Sequence, residues 1–188
     1  MKSLIFIFLG LLFCQLLASQ EIKQPEFRIG IGVLDELNIG NGGPYIISEA
    51  VFSISERLSV NPGISFFQST FITNDVPWGK QNHSGLFLDL QLGYSVIKND
   101  AFGFAVKAGS SYQRGYESYR EAARYVNDIL VYERYTHNDL KRFGLIIEFE
   151  FELLSNDRFS HYLSLQAKSF NIFPEMLSVS YKFGFHIK

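Results

Sequence analysis

Three glutamates spaced two apart, Glu148, Glu150 and Glu152, form the densest row of like-charged groups in the chain. In an extended strand that spacing puts all three carboxylates on one face. Such a row can bind a cation, divide into an acid and a base, or be neutralised by lysine and arginine. The histidines offer less. His161 and Ser164 have an odd separation, so a strand sends them to opposite faces and they form no nucleophile–base pair. His186 shares a face with Ser178 and Ser180, yet the nearer serine is six residues off, roughly 20 Å along an extended chain. His83 and His137 lie in separate polar stretches and are expected to be exposed. Four scattered histidines and one cysteine give no ligand spacing for a metal. No metal and no cofactor are expected.

What positions these groups is a period of two. Leu86, Leu88, Leu90, Leu92, Tyr94 and Val96 alternate with Phe87, Asp89, Gln91, Gly93 and Ser95, which predicts a strand with one apolar face. The glutamates sit in a second such strand, opposite Phe143, Leu145, Ile147, Phe149, Phe151 and Leu153. A third puts Leu177, Val179, Tyr181, Phe183, Phe185 and Ile187 on one face. Weaker alternation predicts strands from Phe27 to Val33, Tyr45 to Ser55, Leu58 to Thr70, Phe102 to Tyr112 and Phe159 to Phe170. Pro62 predicts a bulge or irregular start in its strand. Ser48 falls on the apolar face of its own.

Eight strands is an even number, and the connections alternate in length. Tight turns fall at Glu56-Arg57, Lys98 to Asp100 and Ser155 to Asp157. Longer connections are expected at Asp35 to Pro44, Thr73 to Ser84 and Gln113 to Lys141, with a shorter one at Asn171 to Glu175 around Pro174. An all-β, eight-stranded antiparallel up-and-down transmembrane barrel has this pattern, with the tight turns on the periplasmic side.

Volume decides which face points inward. An eight-stranded barrel has an interior only just wide enough for side chains, so rows of Leu and Phe would overfill it. The opposite face carries Gly30, Gly32, Gly93, Gly103, Ala105, Gly109, Gly144, Ser178, Ser180 and Gly184. It also carries Arg28, Asp89, Lys107, Glu148, Glu150, Glu152, Lys168 and Lys182. Charges withdrawn from water need partners, so these eight are expected to form a lumen salt-bridge network. A filled lumen favours that plug over a cation or acid–base site.

The segment from Gln113 to Lys141 carries Tyr116, Tyr119, Tyr125, Tyr132 and Tyr135 among many charges. These tyrosines are candidates for recognising a protein or glycan partner or lipopolysaccharide. Tyr119, Ala122, Ala123, Val126, Ile129 and Leu130 also lie at helical spacing, so a short capping helix is a second reading. Continuation of the flanking strands above the membrane is a third.

Lys2 followed by the apolar run Leu4 to Leu17 reads as an export signal, cleaved after Ser19. Residues 1–19 are then a signal peptide and 20–188 one barrel domain. Cys14 as a lipid-attachment site is disfavoured by bulky Phe13 before it and by Leu16 and Leu17 after it. Without Lys2 the mature chain has 16 basic against 19 acidic residues, a formal charge of 16 − 19 = −3. No basic stripe points to nucleic acid. The chain is 47% apolar and 16% aromatic, and after the signal no run is long enough for a membrane-spanning helix.

The stretch LFLDLQLGYSVIKNDAFGFAVKAG, with its strand–turn–strand form, and the terminal SVSYKFGFHIK resemble the small eight-stranded outer-membrane barrels. In particular they resemble the outer membrane protein beta-barrel domain family, often called porin-like, common in Bacteroidetes. The terminal strand is similar to those read by barrel-assembly machinery, although this chain ends in Lys188 where many relatives end in an aromatic residue. The resemblance implies a multi-pass protein of the outer membrane, in contact with its lipid and lipopolysaccharide. It leaves function open between a structural or surface-interaction role through the outer loops, a narrow passage or binder for a small apolar molecule, and a lipid-modifying hydrolase. The Ser and His spacings above argue against the hydrolase, and the expectation is a non-enzyme.

Overall fold

A computed structural model describes residues 25–37, 41–72, 80–99, 102–127, 129–156 and 158–186. The expected signal peptide, its cleavage site and Ile187 lie outside the described residues. The barrel wall is built from β1 (Glu26–Glu36), β2 (Asn41–Ser53), β3 (Leu58–Gln68), β5 (Lys80–Lys98), β6 (Gly103–Val126), β7 (Ile129–Ser155), β8 (Phe159–Ser169) and β9 (Met176–His186). The two-residue β4 (Phe71–Ile72) pairs only with the start of β2. Neighbours along the chain pair antiparallel, and β1 pairs with both β2 and β9, closing the wall. The result is an eight-stranded antiparallel up-and-down barrel.

Burial alternates along each wall strand, and it does so with the charged face inward. In β1, Glu26 and Arg28 are buried while Phe27, Ile29, Ile31 and Val33 are exposed, Ile31 to 68%. Leu86, Leu88, Leu90, Leu92 and Tyr94 of β5 and Phe143, Leu145, Ile147 and Phe149 of β7 also face out. A continuous belt of exposed Leu, Ile, Val and Phe around a closed sheet is a lipid-facing surface. Aromatic pairs sit at both rims, Tyr112 against Phe143 (centroids 4.7 Å) at one and Phe104 against Phe151 (5.0 Å) and Phe159 against Phe183 (5.2 Å) at the other. The shortest wall strands have 11 residues. At about 3.3 Å per residue and a tilt near 45°, they span about 25 Å, the height of such an apolar band.

Asparagine chemistry closes two tight turns: the Phe102 and Phe159 amides donate to Asn99 and Asn156 side chains at 2.8 and 2.9 Å. Pro62 makes no bulge. It pairs in register with Leu90 of β5, and toward β2 the ladder skips the two positions Asn61 and Pro62 while the register on either side is unchanged. A missing N–H costs the hydrogen bonds locally without displacing the strand. Ser48 is exposed on the lipid side, in phase with Ile46.

The outer connections are shorter than the sequence suggests. The β1–β2 ladder runs to Glu36 and Asn41, through Gly42, Gly43 and Pro44, and β5 already begins at Lys80. Gln113 to Lys141 is neither loop nor helix. β6 and β7 continue as one hairpin to Val126 and Ile129, turning where Asn127 adopts a positive φ of 51°. Asparagine tolerates that region better than most residues.

Candidate functional site

The centre of the lumen is a compact ion cluster. Lys182 reaches in from β9, and its ammonium donates to Glu49 and Glu150, both at 3.0 Å, and to Glu148. Lys107 from β6 donates to Glu150 at 2.7 Å and Glu49 at 3.1 Å. Arg28 from β1 spans Glu150 (2.5 Å) and Glu26 (2.7 Å), and its guanidinium lies 3.8 Å over the Tyr162 ring. Remaining carboxylate lone pairs accept from Ser164, Gln166 and Gln91 on Glu148 and from Tyr162 on Glu26. Each charge therefore has partners from several strands, the condition under which buried ions are tolerated.

The small inward residues make this cluster fit. Gly30 lies opposite Lys182 in the β1–β9 ladder, and a Cβ there would come within 2.8 Å of the lysine Cγ. At Gly184, opposite Arg28, a Cβ would sit 2.0 Å from Glu26 Oε1.

Toward the long-hairpin end a second pair follows. Lys168 donates to Asp89 at 2.5 Å and lies 4.4 Å over the Phe87 ring. Above it, Leu34, Tyr45, Ile47, Phe67, Phe87 and Met176 pack together inside the lumen. Beyond them, Glu36, His83, Gln113, Arg142 and Glu175 form a hydrogen-bonded chain: His83 Nδ1 meets Glu36 at 3.0 Å, and Arg142 joins Gln113 (2.7 Å) to Glu175 (2.8 Å). Ions, aromatics and amides in successive layers fill the barrel from its middle to its outer mouth. The short-turn end is different. There a cavity of about 1030 Å³ opens, lined among others by Glu26, Asn61, Glu152, Tyr162 and His186, with Arg28, Lys107 and Glu150 at its inner end. Its lining is mixed: the charged groups stand beside apolar Val51, Phe102 and Phe104.

Seven of the eight residues expected in the lumen network are buried and paired: Arg28, Asp89, Lys107, Glu148, Glu150, Lys168 and Lys182. Glu152 is the exception. It lines the cavity, half-buried, and joins no ion pair among the described residues, because it lies beyond the reach of the central cations. Glu49 and Glu26 belong to the cluster and were not expected.

Among the histidines, His83 is fully buried, contrary to expectation, because β5 begins before it and carries it into the lumen. His137 is exposed on the hairpin. His161 and Ser164 do point apart: the histidine meets Tyr181 outside, whereas the serine donates to Glu148 inside. His186 reaches neither Ser178 nor Ser180. It pairs with Ser160 at 2.8 Å, a cross-strand neighbour, and no carboxylate joins that pair among the described residues.

Of the tyrosines, Tyr116, Tyr125, Tyr132 and Tyr135 are exposed on the hairpin. Tyr119 is not presented. It is half-buried at the mouth and donates to Glu117, and burial together with that bond raises its phenol pKa well above the ordinary value, so it remains a donor.

No protein-family model and no curated protein matches the chain. Solved structures do. Neisserial surface protein A superposes with a TM-score of 0.60 at 6% identity, covering 87% of this chain and 96% of that one. The N-terminal β-barrel domain of Pseudomonas aeruginosa OprF gives 0.56 at 10% identity, covering 89% and 100%. The outer membrane protein OprG, also from Pseudomonas aeruginosa, gives 0.54 at 10%, covering 88% and 98%. At such identities the likeness is one of fold. The chain is a transmembrane β-barrel, as its lipid-facing belt requires.

Proposed function

We propose that this chain is a non-catalytic protein of a Gram-negative outer membrane, its closed barrel serving as an anchor and its β6–β7 hairpin as an arm for surface interactions. The porin-like barrel-domain family is the one we assign, on the stretch 86–109 and the terminal strand. Lipid, the barrel-assembly machinery and a protein or glycan ligand are the partners that this reading implies. The observation that carries it is the height of the arm. β8 stops pairing with β7 at Leu145 and β5 stops pairing with β6 at Tyr119, which lies opposite Thr136, so residues 129–135 extend past the wall on both sides by roughly 20 Å of strand. They expose Ile129, Val131, Tyr132 and Tyr135, with Tyr125 opposite.

Labelling tests the orientation. The sequence has one cysteine, Cys14, so single-cysteine variants report cleanly once the signal is removed. Tyr132→Cys should react with a membrane-impermeant maleimide on intact cells, whereas Glu56→Cys, in a short turn, should react only after permeabilisation. The opposite pattern overturns the reading.

The arm should also be separable from the fold. Replacing Glu121 to Arg134 by a two-residue Asn-Gly turn, between the paired Arg120 and Tyr135, is expected to leave a heat-modifiable barrel whose stability changes by less than about 1 kcal/mol. Loss of folding would make the arm structural.

A further inference from the structure

Arg114 and Lys141 stand directly opposite each other in the β6–β7 ladder. Both are exposed on the lipid-side face, and neither has an ion-pair or hydrogen-bond partner among the described residues. Directly opposed side chains on antiparallel strands have Cβ atoms about 5 Å apart, and like charges placed so repel. Their height suggests what relieves the repulsion. The next pair below on the same face is Tyr112 and Phe143, the aromatic contact at the outer rim. Two residues of rise put the cations roughly 6–7 Å beyond those rings, at headgroup level.

Apolar surface continues beneath Lys141. Phe143 is 78% exposed, with Leu145 below it. The β8–β9 turn begins beside Gly144, where a Cβ would meet Ser169 O and Phe170. The turn itself, which exposes Ile172 and Phe173, rises beside the level of the cations. Cations above a wide apolar face match an amphiphile with an anionic head. An arginine fork beside an ammonium suits the several oxygens of a phosphate.

We propose that Arg114 and Lys141 form a binding site for the phosphate of an outer-leaflet lipid whose acyl chains lie on Phe143 and Leu145. The proposal rests on the outward orientation of the arm. Two cations acting together on one headgroup should change affinity by about thirtyfold.

The test uses the full mature chain folded in zwitterionic micelles and titrated with bisphosphorylated lipid A, its dephosphorylated form and inorganic phosphate, with bound molecules read by native mass spectrometry. Binding of the phosphorylated lipid should fall about thirtyfold in R114Q/K141Q and persist in R114K/K141R. The dephosphorylated lipid should bind wild type no better than it binds R114Q/K141Q. Equal binding of the phosphorylated lipid to all three proteins overturns the site. Binding of inorganic phosphate as tight as that of the lipid overturns the lipid assignment. Heat-modifiable mobility keeps the two levels apart: a chain that forms no barrel in micelles refutes the membrane reading, whereas a folded barrel indifferent to the phosphate refutes only this site.

Discussion

Lys182→Met is expected to lower the stability of the folded barrel by about 3–5 kcal/mol, the cost of leaving buried carboxylates without their cation. Lys182 is fully buried, and its ammonium is shared among Glu49, Glu148 and Glu150. Methionine has nearly the same shape, so packing changes little and the loss reports the charge. Lys107 and Arg28 remain, but they already serve Glu49, Glu150 and Glu26. Urea titration of folding into lipid vesicles, followed by the gel shift of the heat-modifiable band, measures the change. Adding Glu148→Gln should recover part of it, because the two residues act as a unit. Lys98→Met, on an exposed turn-proximal position, should cost no more than about 0.5 kcal/mol. A Lys182 variant as stable as the Lys98 control would mean that the central ions are not a plug that the fold depends on.

Leu90→Arg is expected to cost about 2–4 kcal/mol in the same assay, the range for an arginine on the lipid face near the bilayer midplane. Leu90 lies mid-strand between Pro62 and Ser110, 55% exposed to the surroundings of the barrel. Its neighbour Gln91 points the other way and donates to Glu148 at 3.3 Å. Gln91→Asn should therefore lose at most that one hydrogen bond, about 1 kcal/mol. In a soluble barrel Leu90 would face water, and arginine there would be harmless. Equal tolerance at the two positions would refute the assignment of faces.

The period of two made the wall legible, and the volume of a narrow barrel made its inside legible. Both inferences drew on strands such as β5 and β7, where one face is apolar and the other is not. Glu49 was passed over although Ser48 on the apolar face already turns it inward: β2 has apolar residues on both faces, Tyr45, Ile47 and Val51 pointing inward while Ile46 points out, so its inner face did not read as a charged one. The hairpin register fixes its place, setting Glu49 opposite Arg28 once Glu36 is paired with Asn41. The glycines and Pro44 after Asn41 read as a loop and concealed that pairing.

The arm was ambiguous for a different reason. Register shifts between Arg120 and Ala122 and between Arg124 and Tyr125 break the alternation, and a broken period of two can imitate helical spacing over a few residues. Tyr119 belongs to the inward phase below those shifts, which is why it turns to Glu117 at the mouth while Tyr116 faces out. His83 followed from the same misreading one strand earlier. The cavity at the short-turn end had no sequence signal, because it is a space left by serines, asparagine and small side chains between ordinary strands.

Ion conduction by the purified protein in a planar lipid bilayer tests the central claim, a membrane-spanning barrel closed by its own side chains. The cavity reaches from the short-turn end to Arg28, Lys107 and Glu150, and beyond them, among the described residues, lie the packed layers from Lys182 to His83. The bilayer should show insertion with no more than small, sporadic current steps. A large, steady conductance from the wild-type protein would contradict the account.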